Sequence, residues 1–72
     1  MAHLTYFVVR RPGGWAVEYD ETVLCCFRTH EQAVAQARLI GRERGMPCDI
    51  KVEEPFTGRF RTEVTYGAQP VA

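Results

Sequence analysis

The sequence predicts an α+β domain of two layers, one helix laid on an antiparallel sheet, in the order β-β-β-α-β-β. Three observations carry that expectation. Thr29 to Gly45 has a helical period with a stop signal at each end. Cys48 to Glu53 and Arg59 to Tyr66 alternate between apolar and polar residues, as half-buried strands do. The chain before Thr29 consists of short runs of strand formers divided by turn residues.

Leu4 to Arg10 is the first predicted strand, because Tyr6, Phe7, Val8 and Val9 are strong strand formers. Side chains alternate across a strand, so four consecutive apolar residues make both of its faces apolar. Arg11-Pro12-Gly13-Gly14 is a turn, with proline presetting one dihedral and glycine supplying positive φ. Trp15 to Tyr19 follows, with Trp15, Val17 and Tyr19 on one face and Ala16 and Glu18 on the other. Asp20-Glu21 reads as a turn without glycine. Val23 to Arg28 is the third strand, Leu24 and Cys26 opposing Val23, Cys25 and Phe27, again apolar on both sides.

The helix comes next. Thr29 is placed to cap it through its hydroxyl, with Gln32 completing a capping box. Gly45 is placed to close it in a left-handed conformation, and Pro47 blocks its continuation. Ala33, Val34, Ala37, Ile40 and Gly41 share one arc at about 100° per residue, and their small side chains suit close contact with a sheet. In the fourth strand Cys48, Ile50 and Val52 oppose Asp49, Lys51 and Glu53. Glu54 to Gly58 is a hairpin loop. In the last strand Phe60, Thr62, Val64 and Tyr66 oppose Arg59, Arg61, Glu63 and Thr65. Residues 4–67 make a single domain, and 68–72 read as a flexible tail.

The composition narrows function more than it identifies it. A chain of 72 residues buries only about 60% of its unfolded surface, so an additional apolar contact would matter to its stability. Acidic and basic residues balance to a net charge of zero, so no global field draws in nucleic acid or an anionic membrane. No stretch approaches the roughly 20 apolar residues of a membrane span. The N-terminus lacks the basic start and apolar run of a signal peptide, and the odd cysteine count without a CxxC pair suits a reducing compartment. The expectation is a cytoplasmic protein.

The run Tyr6-Phe7-Val8-Val9-Arg10 followed by Gly13-Gly14-Trp15-Ala16-Val17 resembles the opening of a small bacterial family catalogued as domain of unknown function 2188. Phe27-Arg28-Thr29, the helix residues Glu31, Ala33, Val34, Ala37 and Arg38, and the segment from Gly58-Arg59 through Glu63 to Tyr66-Gly67 are similar to that family's later motifs. The Cys25-Cys26 pair and the Glu54-Pro55-Phe56 loop depart from its pattern. The resemblance covers roughly Thr5 to Gly67. It implies a bacterial or phage source and the same α+β fold, but no activity, since the family's own function is unassigned.

Catalysis has little to work with. The chain has no serine and no asparagine, which removes Ser-His-Asp chemistry and many oxyanion donors. No glycine-rich phosphate loop precedes the helix. His30, beside Glu31 on the first helical turn, reads as a partly exposed capping residue rather than a base. Zinc needs ligands converging at short spacings, and Cys25 and Cys26, adjacent on a strand, face opposite ways. The sequence therefore predicts no catalytic residue, no metal and no cofactor.

Two non-enzymatic readings remain. In the first, the chain is a small interaction module that self-associates as a homodimer. One helix covers one sheet face, leaving the apolar residues of the other to a partner. Tyr6, Phe7, Val9, Cys25, Phe27 and Leu39 are the candidate interface residues. In the second, Arg10, Arg11, Arg28, Arg59 and Arg61, interleaved with aromatics on the strands, contact nucleic acid through phosphates and stacking. Glu18, Glu53, Glu54 and Glu63 on the same strands oppose that reading.

Overall fold

The structure is a computed structural model and describes residues 3–67. The predicted tail, 68–72, lies outside the described residues. Five strands and one helix follow the expected order: β1 (Leu4–Arg11), β2 (Gly14–Tyr19), β3 (Thr22–Phe27), α1 (His30–Arg44), β4 (Cys48–Glu53) and β5 (Phe60–Tyr66). They form one sheet in the order β3-β2-β1-β4-β5 with α1 across one face.

The sheet is mixed, which corrects the antiparallel expectation. β1 pairs with β2, β2 with β3 and β4 with β5 in antiparallel fashion, but β1 and β4 are parallel. The cause is the crossover. Two hairpins leave β3 running in the direction of β1. The helix carries the chain back along the sheet, so β4 starts at the same end as β1 and runs alongside it.

The helix boundaries follow from its caps. Thr29 is extended at φ −118° and ψ 152°, and its Oγ1 accepts a hydrogen bond from the Gln32 amide at 3.1 Å. Gly45 closes the helix at φ 71°. Ala33, Ala37 and Gly41 are buried against the sheet, with Val34 and Ile40 packed beside them. Beneath lie Tyr6, Val8, Val17, Cys48, Ile50 and Val52, all essentially inaccessible to water. Gly41 has no room for a side chain: a Cβ there would stand 2.9 Å from Tyr66 Cδ2 and 3.1 Å from Ile50 Cδ1. Trp15 belongs to this core, with the His30 ring edge-on at 4.6 Å between centroids.

The hairpin turns differ in chemistry. Between β1 and β2, Gly13 takes φ 86° after Pro12, the residue order of a type II turn. A Cβ on the following Gly14 would come within 2.1 Å of the Phe27 carbonyl oxygen, so β3 passes close only because that residue is glycine. Between β2 and β3, Asp20 and Glu21 both adopt positive φ, 53° and 64°, the conformation of a type I′ turn that usually employs glycine.

Each edge strand carries one bulge. On β3, Cys25 pairs with Val17 and Val23 with Glu18, which leaves Leu24 as the extra residue. On β5, Val64 pairs with Ile50 and Thr62 with Lys51, which leaves Glu63 as the extra residue. An extra residue reverses the alternation beyond it. Both predicted face assignments are therefore corrected over part of their length. Val23 shares a face with Cys26 rather than with Cys25 and Phe27. Phe60 and Thr62 share a face with Thr65, while Arg61 shares one with Val64 and Tyr66.

Candidate interaction surface

The sheet face turned away from α1 is built from two cross-strand rows. One runs Val23, Glu18, Phe7, Lys51, Thr62. The other includes Cys26, Ala16 and Val9, with Glu53 and Phe60 paired alongside. No helix among the described residues covers this face. The Glu54–Gly58 loop does not fold over it either, because Phe56 at its tip is 99% exposed.

Apolar side chains on this face shelter one another. Phe60 stands edge-on to Phe7 across β4, with centroids 5.6 Å apart and planes at 89°. Phe60 nonetheless remains 48% exposed. Val9 and Ala16 are buried although no element among the described residues lies over them. Arg11 and Glu18 project diagonally across that pair, with Arg11 Nη2 at 2.5 Å from Glu18 Oε2. The contact is short but not aligned as a hydrogen bond, so it acts as an ion pair whose stems cover the apolar floor.

A polar margin completes the face. Lys51 Nζ donates to Thr62 Oγ1 at 3.3 Å. Asp49 accepts from Thr65 Oγ1 at 2.7 Å and meets His3 Nε2 at 3.0 Å. The Thr65 hydrogen bond and the neighbouring His3 hold the Asp49 carboxyl below its ordinary pKa, against a smaller opposing effect of burial. Glu53 Oε1 accepts the Arg10 amide at 3.0 Å.

The six interface candidates do not share one surface. Phe7 and Val9 are on the uncovered face. Tyr6 is 2% exposed and faces the helix, its ring 5.1 Å from that of Tyr19. Cys25 and Phe27 pair with Val17 and Trp15 and pack against the same core. Leu39 is exposed on α1, in the other layer, where it lines a groove with Arg38, Arg42 and Glu63. The sequence reasoning missed Phe60 and Val23, because each lies beyond a bulge. No local signal marks the Phe60 bulge, because under strict alternation Arg61 and Glu63 share a face and their pairing looks satisfied without it.

The five arginines divide as well. Arg10, Arg11 and Arg28 lie around the Gly13–Gly14 turn, with Arg10 over the Trp15 ring and Arg11 turned to Glu18 on the uncovered face. Arg61 lies on the helix side in ion pairs with Glu54 and Glu63, and Arg38 also reaches Glu63. The bulge aims Glu63 between those two guanidiniums. Arg59 begins the return from the loop, its carbonyl accepting the Glu54 amide at 2.7 Å.

Two of the three thiols, Cys25 and Cys48, are poorly suited to nucleophilic chemistry. Burial raises the Cys25 pKa, and neighbouring Cys26 adds to it. Burial likewise raises that of Cys48, with Asp49 adding and Arg44 opposing. Cys48 Sγ donates to the Gly41 carbonyl at 3.6 Å inside the core. A raised pKa means less thiolate at neutral pH.

No helix among the described residues is long and apolar enough to cross a membrane. Comparison with known proteins returns no matching family model, no curated protein that matches significantly and no solved structure that matches significantly.

Proposed function

We propose that this chain is a non-enzymatic interaction module that pairs with a second copy through the uncovered sheet face. The observation that carries the reading is the Phe7–Phe60 pair, an aromatic cluster with Phe60 48% exposed, on a face that no described element covers. Val23, Cys26 and the Val9–Ala16 floor extend the apolar area on either side. Aromatic anchors surrounded by near-neutral contacts are the usual centre of a protein interface.

The charge pattern favours a like partner over nucleic acid. Glu18 and Glu53 alternate with Arg11 and Lys51 on this face, so two copies approach without net repulsion. A nucleic-acid groove would need the cations to share one stripe. Arg61 instead sits on the opposite face from Arg11, neutralised by two carboxylates. Closed two-fold pairing is the commonest oligomeric arrangement and would bury both copies of Phe60.

A mixed-label NMR experiment tests the reading. Isotopically labelled and unlabelled chains are combined, and contacts between them are selected. The proposal expects intermolecular contacts at the Phe7 and Phe60 rings. Contacts confined to α1, or none at concentrations where the chain has the mass of a dimer, would overturn it.

A further inference from the structure

We infer that the open pocket at the Gly13–Gly14 turn is an oxyanion site that takes the phosphoryl group of a small phosphate monoester. This inference does not depend on the sheet-face dimer. The pocket has a volume of about 650 Å³, and Arg10, Arg11 and Arg28 are among the residues that line it, with Gly13 and Trp15. No carboxylate is among its described lining residues. Arg11 is paired with Glu18, but the side chains of Arg10 and Arg28 have no carboxylate partner among the described residues, so two uncompensated cations at one end of the sheet are a local electrostatic cost. A bound dianion removes it.

The three side chains differ in how far they are already committed. Arg10 is fixed in place: one Nη donates to the Pro55 carbonyl at 3.1 Å, and the guanidinium lies 5.7 Å from the centroid of Trp15. This anchoring uses one of its five N–H donors and leaves the others oriented without further loss of side-chain freedom. Arg11 spends one nitrogen on the Arg10 carbonyl at 3.3 Å and another on Glu18. Arg28 has no hydrogen bond or ion pair among the described residues, and it immediately precedes the Thr29 cap, where the positive end of the α1 dipole adds to its field.

The shape of the donors selects the ligand. Planar guanidinium forks match the paired terminal oxygens of a phosphate, and the two unpaired cations, Arg10 and Arg28, suit a dianion better than a single carboxylate. The same residues argue against reading a nucleobase. Trp15 is 8% exposed, with Arg10 over its ring and His30 against it, so no aromatic face is offered for stacking. What remains is recognition of the phosphoryl group itself, with space in the pocket for a small organic substituent.

Inorganic phosphate titrated at constant ionic strength, followed by amide NMR, tests the inference. Expected are saturable shifts at Gly13, Gly14 and the Trp15 indole N–H, and binding weakened by about tenfold or more in Arg28→Gln, an exposed position whose change leaves the core untouched. Arg59→Gln, outside the pocket, should bind as the parent does. Non-saturable shifts, or equal binding by the parent, Arg28→Gln and Arg11→Gln, would overturn the inference. A second arm compares one short oligonucleotide with a 5′-phosphate and with a 5′-hydroxyl. Preference for the 5′-phosphate supports monoester recognition. Equal binding of both, tighter than phosphate, would assign the cluster to a nucleic-acid backbone and overturn it.

Discussion

The ring of Phe60 meets that of Phe7 edge-on, 5.6 Å between centroids, although β4 separates their strands. The bulge at Glu63 makes the meeting possible. Without that extra residue, Phe60 would share the face of Val64 and Tyr66 and point toward the helix layer. One inserted residue on an edge strand thus moves an aromatic ring to the uncovered face and turns a carboxylate inward to Arg38 and Arg61.

Gly41 sets the distance between helix and sheet. Gly41→Leu should cost about 1–3 kcal/mol despite its better helix propensity, because even a Cβ meets Tyr66 and Ile50 at contact distance. Urea unfolding checks this. A more stable variant would mean that the layers separate without penalty.

Thr29 accepts one amide that the first turn of α1 would otherwise leave without a partner in the helix. Thr29→Ala should lose about 1 kcal/mol, and Thr29→Ser should lose far less because it keeps the hydroxyl. Equal losses in the two variants would assign the effect to the methyl group rather than to the cap.

Glu21 occupies a left-handed backbone region at φ 64° with no structural need for its side chain in the core. Glu21→Gly creates an Asp-Gly type I′ turn and should raise stability by about 0.5–1 kcal/mol, the relief of strain exceeding the added freedom of the unfolded chain. Thermal unfolding of the two proteins measures the difference. A loss of stability would contradict the turn assignment.

Asp49 should contribute to the acid limb of the stability curve. Its folded-state pKa is lowered, chiefly by the Thr65 hydroxyl. Its stabilising contribution is therefore fully present above the unfolded carboxylate value of about 3.9, and is lost as pH falls through the lower folded value. Thr65→Val should raise the Asp49 pKa toward the ordinary value and reduce that dependence. Carboxyl-carbon NMR titration reads it directly. An unchanged Asp49 titration would assign the lowering to His3 instead.

The helix was legible in the sequence because its signals are local: Thr29, Gly45, Pro47 and the Ala33–Ala37–Gly41 stripe all lie within or beside it. The strands were legible to within one or two residues for the same reason. What could not be read locally depends on a partner strand. The parallel pairing of β1 with β4 is set by the crossover and not by any residue within either strand. The bulges at Leu24 and Glu63 exist only relative to Val17–Glu18 and Ile50–Lys51. β3 is apolar on both faces, so a one-residue phase change leaves no mark on its pattern. The two-sided character of β1 was plain, but which of Tyr6–Val8 and Phe7–Val9 meets the helix was not. That is why Tyr6, Cys25 and Phe27 stood beside Phe7 and Val9 as interface candidates and are found on the other side of the sheet.

Light scattering of the parent chain and of Phe60→Asp at micromolar concentration tests the central claim most directly. Phe60 is exposed in the single chain, so the substitution should leave the fold intact, with circular dichroism as the control. The account predicts twice the mass of one chain for the parent and the mass of one chain for the folded variant, since a carboxylate at the centre of the paired faces would be buried without a partner. A monomeric parent, or a folded variant that remains a dimer, would contradict it.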